Sequence, residues 1–155
     1  MRTPGIERSV EIAAPVDEVF AFHLDTRNAA RIAPRGQRVV GVDGVFPVTA
    51  GGVVVMRMRH PPLPLTITWR VRIEIVEPPH RIVDVAERSP FAAWRHEHIF
   101  QPLGPGRTLM TDRVTYRLPG GPVGRVAGRL IVRPLLARAF AGRHRRTREV
   151  LEGRG

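Results

Sequence analysis

The sequence contains no cysteine, no lysine and only two serines, Ser9 and Ser89. Without cysteine the protein has no disulfide framework, no thiol nucleophile and no thiolate ligands for zinc. Neither serine lies between residues 91 and 119, the stretch that carries most of the side chains able to do chemistry, so a serine–histidine–aspartate nucleophile lacks its serine. No glycine-rich phosphate loop precedes a helix either. These absences argue against covalent catalysis and against a nucleotide site of the P-loop type.

Long apolar runs are also missing. No stretch of about 18 apolar residues is present to span a bilayer, and the N-terminal segment MRTPGIERSV lacks the apolar core of a signal peptide. The 155 residues, 43% of them hydrophobic, are enough for one domain with a buried core. We therefore expect a single soluble domain over residues 1–155, located in the cytoplasm and without a cofactor.

The basic residues are all arginines, 25 against 14 acidic residues, and the formal charge is +11. Nine of the arginines follow Pro122, where only two glutamates oppose them. This excess has two interpretations: the arginines solvate a helix face, or they contact an anionic partner. Arg138, Arg145 and Arg148 share one helix face, but no aromatic residue interleaves with them as base stacking requires. An anionic membrane is therefore favoured over nucleic acid as a partner.

Alternation of apolar and polar residues predicts about seven strands. The clearest runs from residue 66 to 76, and its residues predicted to face inward are Ile67, Trp69, Val71, Ile73 and Ile75. The other strands are predicted at residues 6–13, 37–43, 53–60 and 80–88 and in a hairpin at 91–119. Two short helices are expected after the first strand, one beginning at Pro15 and one over residues 25–32.

The hairpin at residues 91–119 has one register in which both faces are chemically matched. This register sets Phe100 opposite Met110, His98 opposite Asp112, His96 opposite Val114, Trp94 opposite Tyr116 and, on the other face, Glu97 opposite Arg113. It forms a charge pair on the outside and an aromatic and His/Asp surface on the inside. A shift by one residue would reverse both faces, so this register is the one predicted.

Helical periodicity runs from residue 122 to 151, with a kink or restart expected at Pro134. The predicted apolar face consists of Leu135, Leu136, Ala139, Phe140, Val150 and Leu151. Arg143 falls inside this face and is therefore expected near the sheet. A buried guanidinium needs a partner, for which Asp112, a backbone carbonyl, cavity water and a ligand anion are the candidates.

Four segments carry a resemblance to a known superfamily: APVDEVFAFHLDTRNAARIAP near the N-terminus, WRHEHIF and TLMTDRVTYRLP in the hairpin, and FAGRH in the last helix. The chain resembles the START-like, Bet v 1-like helix-grip superfamily (SRPBCC), specifically its bacterial polyketide cyclase/dehydrase-like branch, over residues 6–151. The resemblance implies an α+β fold in which a curved antiparallel sheet of about seven strands wraps around the long C-terminal helix. It also implies a cavity between sheet and helix for lipids, polyketides or other apolar molecules.

The predicted ligand-binding residues are Trp69, Trp94, His96, His98, Phe100, Met110, Asp112, Tyr116, Phe140 and Arg143. In the leading hypothesis they bind, or bind and carry, a small, largely apolar or amphipathic molecule and orient its polar end. The alternative, also implied by the resemblance, is an aromatase/cyclase-type enzyme with His98 as base, Asp112 orienting it and Tyr116 as proton donor. The same aromatic residues also suit ordinary core packing. The H-x-H pair, with Asp112 as the only evident third ligand, is too weak a pattern to predict a metal site.

Overall fold

The computed structural model describes residues 3–153. Its strands are β1 (Gly5–Ile12), β2 (Arg38–Asp43), β3 (Val53–Arg59), β4 (Thr66–Glu77), β5 (Arg81–Arg88), β6 (Ala93–Gly104) and β7 (Arg107–Arg117). They form one antiparallel sheet in the order β1-β7-β6-β5-β4-β3-β2. Strands β2 to β6 each pair with the next strand in the chain, and β1 pairs with β7. The predicted seven-stranded antiparallel sheet is confirmed.

The helices lie at the two ends of the chain. They are α1 (Val16–Leu24), followed by a 3-10 turn (Thr26–Ala30), and α2 (Gly121–Ala127), a π-helical turn (Gly128–Val132) and α3 (Arg133–Leu151). Pro134 lies in the first turn of α3, directly after the π-helical turn, so the helix changes type where the sequence predicts a kink or restart. Within residues 3–153, no helix combines the length and the apolarity needed to cross a bilayer.

Helices α1 and α3 pack on the same face of the sheet, which is called the inner face below. Phe140 of α3 joins a buried cluster with Trp94 and Tyr116 of the β6–β7 hairpin. Phe20 of α1 meets Phe100 of β6 edge to face, with the ring centroids 5.5 Å apart. The inward side chains of β6 and β7 are therefore enclosed between the sheet and both helices, as the helix-grip prediction requires.

A bulge in β4 overturns one prediction. The register shifts so that Ile73 pairs with Asp84 while Ile75 pairs with Val83. The extra residue, Glu74, breaks the alternation, and it is Val76 that packs against the core clusters. The prediction that Ile75 faces inward is wrong, because an alternating pattern carries no signal for an inserted residue.

The buried stripe of α3 is also rotated from the predicted one. Its buried residues are Phe140, Gly142, His144 and Thr147. Leu135, predicted in the apolar face, is 58% exposed. It lies five residues before Phe140, which at 3.6 residues per turn places it about 140° around the helix. The prediction holds for Phe140 but is wrong for Leu135.

Candidate functional site

The β6–β7 hairpin adopts the predicted register in full. The facing pairs are Trp94 with Tyr116, His96 with Val114, His98 with Asp112, Phe100 with Met110, and Glu97 with Arg113. The first four pairs are buried, and Arg113 Nη1 lies 3.3 Å from Glu97 Oε2 on the opposite face. The hairpin therefore presents two histidines and an aspartate to the interior.

Asp112 is the centre of a polar cluster between β6, β7 and α3. Its carboxylate is 1% exposed. Oδ1 accepts a hydrogen bond from His96 Nε2 at 2.7 Å, and Oδ2 accepts one from His144 Nε2 at 2.5 Å. Nδ1 of His98 also lies 2.8 Å from Oδ1, but off the hydrogen-bonding direction. Three imidazoles thus offset the cost of burying this charge.

Asp84 on β5 completes the cluster from the other side. It pairs with His96 across the β5–β6 ladder. Its Oδ2 lies 3.8 Å from His96 Nδ1 and 3.7 Å from His98 Nε2. The sequence analysis did not identify Asp84, although a signal was present: it occupies an inward position of β5 between Ile82 and Ala86.

The two carboxylates enclose two imidazoles whose ring centroids are 3.9 Å apart. Burial would lower the pKa of His98, but Asp112 and Asp84 on its two sides raise this pKa to about 9. Burial and the neighbouring charge of His98 lower the pKa of His96. Burial would raise the pKa of Asp112, but His98 and His96 hold it well below its usual range. At neutral pH the site therefore contains a protonated His98, a neutral His96 and an ionised Asp112.

Two further histidines approach the cluster from the helices. His144 of α3 is buried and follows Phe140 by four residues, a spacing that places both on one helix face. His23 of α1 donates from Nδ1 to the Val19 carbonyl at 2.8 Å because that oxygen can only accept, and its buried Nε2 has no hydrogen-bond partner. The His23 ring lies 5.4 Å from that of His98. Neither histidine was singled out from the sequence as a site residue.

Arg143 is half-buried beside the cluster rather than inside it. Its guanidinium lies over the Phe140 ring, 5.9 Å from the centroid. Among residues 3–153 it has no carboxylate within ion-pair distance, and the helix partner of Asp112 is His144. Asp112, one of the four candidate partners of Arg143, is therefore not its ion-pair partner, because the next residue along α3, His144, occupies that position. The expectation that Arg143 lies near the sheet and away from bulk solvent holds.

The predicted aromatic residues form a continuous inner surface next to these charges. Trp69 is half-buried and contacts Trp94 and Phe91, with ring centroids 5.0 and 5.7 Å apart. Phe140 meets the ring of His96 edge to face at 5.2 Å. The apolar and polar parts of the predicted site are therefore in contact.

The contacts of Tyr116 do not fit the proton-donor role expected for it. Its side chain is fully buried, and its hydroxyl donates to the Gly128 carbonyl at 2.7 Å. That bond ties β7 to the π-helical turn, where the change of helix type leaves carbonyl groups in need of donors. A proton donor to a ligand needs a free hydroxyl, so Tyr116 is better described as a structural residue.

Two clefts adjoin α3. The larger, of about 770 Å³, lies between residues 33–38 and α3. The smaller, of about 470 Å³, lies between β1 and α3 and is lined in part by His144. Neither is lined by Trp69, Trp94 or His98. The smaller cleft reaches the polar cluster from the helix side, and the ligand-binding role of the aromatic residues stays a prediction.

The family described as "Polyketide cyclase / dehydrase and lipid transport" matches residues 3–152, nearly the whole chain. No curated protein is significantly similar to the chain in sequence.

Several solved structures share the fold at low sequence identity. The di-domain ARO/CYC StfQ from the steffimycin biosynthetic pathway matches with a TM-score of 0.76 and 17% identity, over 97% of this chain and 51% of that one. A Chromobacterium violaceum protein matches with a TM-score of 0.72 and 16% identity, over 96% and 98% of the two chains. Norcoclaurine synthase from Thalictrum flavum matches with a TM-score of 0.66 and 13% identity, over 93% and 86%. At these identities the likeness shows a common fold.

Proposed function

The chain belongs to the polyketide cyclase/dehydrase and lipid transport family, and from this we propose that it binds a small, largely apolar molecule between the inner face of the sheet and α3. Family membership supports a ligand-binding or cyclase-type role. The contacts around Arg143 favour the binding role and suggest how the ligand is oriented.

The observation that carries the proposal is a half-buried cation next to the aromatic side chains of Phe140 and Trp94, which are buried, and of Trp69, which is half-buried. Arg143 packs on Phe140, and Phe140 belongs to the same cluster as Trp94, against which Trp69 packs. Arginine cannot lose its charge, and partial burial without a carboxylate partner costs free energy. An anionic or carbonyl group on a ligand would relieve that cost, while the aromatic residues would contact its apolar part.

Intrinsic fluorescence can test this directly, because the chain has only two tryptophans. Saturable quenching or a spectral shift on titration with a long-chain fatty acid would support the proposal. In the single-tryptophan variants, Trp69 should respond more strongly than Trp94, which is 8% exposed. A chain that neither binds fatty acids nor changes its fluorescence with neutral apolar probes would contradict the proposal.

We expect Arg143→Met to weaken fatty-acid binding by about tenfold or more, because a hydrogen bond to a charged group contributes roughly 1.5–3 kcal/mol. Binding of the corresponding fatty alcohol should change little, and the melting temperature should stay close to that of the wild type. The matched control is Arg138→Met, which removes an exposed arginine from the same helix. A clearly lower melting temperature of Arg143→Met would instead show that Arg143 has a structural role.

A cyclase-type reaction is the second candidate, and the position of His98 between two carboxylates favours it. A protonated His98 cannot act as the base that the sequence analysis assigned to it, but it can donate a proton to a departing hydroxyl. The neutral His96 is the better base. Conversion of a polyketide probe that stops in His98→Ala, while binding persists, would favour this candidate over simple carriage.

An anionic membrane is the partner we propose for ligand exchange, through residues that differ from the arginines singled out earlier. The exposed apolar residues of α2, the π-helical turn and the start of α3 are Val123, Val126, Leu130, Ile131 and Leu135, each more than half exposed. Arg125, Arg129 and Arg133 are interspersed with them, and residues 121–135 contain no acidic side chain. An apolar stripe flanked by arginine suits a surface that combines acyl chains with anionic headgroups.

We expect the chain to float with phosphatidylcholine vesicles that contain phosphatidylglycerol and much less with vesicles that lack it. Val126→Ser/Leu130→Ser should reduce flotation severalfold, because it removes two exposed apolar contacts. Val45→Ser is the matched control, since Val45 is 85% exposed on the loop between β2 and β3. Equal flotation of both variants, or self-association that the double substitution abolishes, would contradict a membrane contact.

A further inference from the structure

Three side chains of types that bind metal ions lie together in the interior of the protein, and the proposed function gives them no metal-binding role. Asp84, His96 and His98 each offer one ligand atom, and these atoms all lie within 4.8 Å of one another. The strands bring them together because Asp84 faces His96 across the β5–β6 ladder and His98 is the next inward residue along β6.

The distances from Asp84 to the two histidines are too long for hydrogen bonds and are slightly longer than those between two ligands of one cation. Asp84 Oδ2 lies 3.8 Å from His96 Nδ1 and 3.7 Å from His98 Nε2. Both separations exceed hydrogen-bonding distance. Ligand atoms around a tetrahedral ion with bonds of 2.0–2.1 Å lie about 3.3–3.4 Å apart. Asp84 Oδ2 is therefore only a few tenths of an ångström farther from each histidine nitrogen than two ligands of one ion would be, and the two nitrogens lie within 4.8 Å of each other.

The opposite nitrogens of the two histidines face Asp112. An ionised carboxylate only accepts hydrogen bonds, so its 2.7 Å bond to His96 Nε2 places the proton of a neutral His96 there and leaves a lone pair on Nδ1, toward Asp84. His98 points Nδ1 toward the same oxygen, 2.8 Å away but off the hydrogen-bonding direction, and Nε2 toward Asp84, so a cation at Nε2 replaces the proton that His98 carries in the metal-free protein. A carboxylate that holds ligand histidines from behind is a recurrent feature of metal sites.

We infer that Asp84 Oδ2, His96 Nδ1 and His98 Nε2 bind a divalent transition-metal cation of the zinc class, with Asp112 and His144 as its second shell. Two nitrogens and one carboxylate oxygen suit Zn²⁺ or Co²⁺ better than Mg²⁺ or Ca²⁺, which prefer oxygen ligands. Asp84 and Asp112 together supply the two negative charges that balance a divalent ion. Three protein ligands leave a fourth coordination position for water or a ligand atom.

Equilibrium dialysis of the metal-free protein against Zn²⁺ and Co²⁺ tests the inference without any apolar ligand, so its failure would leave the proposed ligand-binding function standing. We expect one Zn²⁺ per chain, and with Co²⁺ the visible absorption bands of a site with four or five ligands. The folded state should gain thermal stability as the metal concentration rises.

Asp84→Asn is the decisive variant, because it removes one ligand charge without breaking a hydrogen bond that the structure assigns to Asp84. Metal affinity should fall by at least about tenfold, the loss that second-shell changes alone produce, while circular dichroism and the metal-free melting temperature should remain near those of the wild type. The exposed His80→Ala is the matched control and should bind as the wild type does. Absence of binding, wild-type affinity in Asp84→Asn, or equal losses in both variants would overturn the inference.

Discussion

Asp112→Ala should lower the free energy of unfolding by about 3–5 kcal/mol, the loss expected when one partner of a buried ionic cluster is removed. The substitution leaves His96 Nε2 and His144 Nε2 without their acceptor, at a site where Asp112 itself is 1% exposed. It also leaves the protonated His98 with Asp84 as its only carboxylate neighbour within 4 Å among residues 3–153. For a chain of this length the melting temperature should fall by about 10 °C or more. Urea unfolding in the presence of a chelator measures the change.

Asp84→Ala is the matched control for that experiment. Asp84 lies in the same cluster but approaches its histidines only to 3.7 and 3.8 Å, and its side chain is 15% exposed. Its removal should cost less than half as much, because no buried donor loses a hydrogen bond. A loss below about 1 kcal/mol for Asp112→Ala, or equal losses for the two aspartates, would show that Asp112 is not the centre of the cluster.

Acidification from pH 7 to pH 5 should destabilise the protein by about 2 kcal/mol through His23 alone. Burial and the charge of His98 lower the pKa of His23 to about 3, from 6.5 in an unfolded chain. Between these values the unfolded state binds the proton and the folded state does not. The stability is therefore complete above about pH 6.5 and is lost as the pH falls toward 3. Asp112 and Arg143 also act on His23, in opposite directions.

Thermal melting in chelator-containing buffer across pH 4–8 checks this, with His23→Leu as the test variant. Between pH 7 and pH 5 the melting temperature of the variant should fall much less than that of the wild type. His96, whose pKa is also lowered, adds to the decrease, while His98, whose pKa is raised to about 9, opposes it because the folded state binds that proton more tightly than the unfolded state does. His80→Leu, which replaces an exposed histidine on the β4–β5 turn, should keep the full decrease. If the melting temperatures of wild type and His23→Leu fell in parallel with pH, the pH dependence could not be assigned to His23.

Most of the hairpin was predictable because its register follows from local rules. Alternation sets which residues share a face, and only one register matches Glu97 with Arg113 on one side and His98 with Asp112 on the other. The same rule failed in β4, where a single extra residue, Glu74, moved Val76 into the position expected for Ile75. Periodicity alone cannot show where a strand bulges.

Only part of the candidate site could be predicted from the sequence. Side chains on neighbouring positions of one hairpin, such as His96, His98 and Asp112, could be placed together from the sequence. Asp84 and His144 could not, because each reaches the cluster from an element whose neighbour or rotation depends on the whole fold. Strand β5 lies next to β6 only once the sheet has formed.

The sequence by itself determined the α+β class, the strand count, the hairpin register and the presence of an inward-facing His/Asp surface, because these depend on local periodicity and on cross-strand matching. Only the tertiary structure decided which residue of α3 meets Asp112. Consecutive residues of a helix point about 100° apart, so a rotation of that size about the helix axis exchanges Arg143 for His144. The packing of Phe140 against Trp94 and Tyr116 of the sheet fixes that rotation, and it places an imidazole instead of a guanidinium on the buried carboxylate.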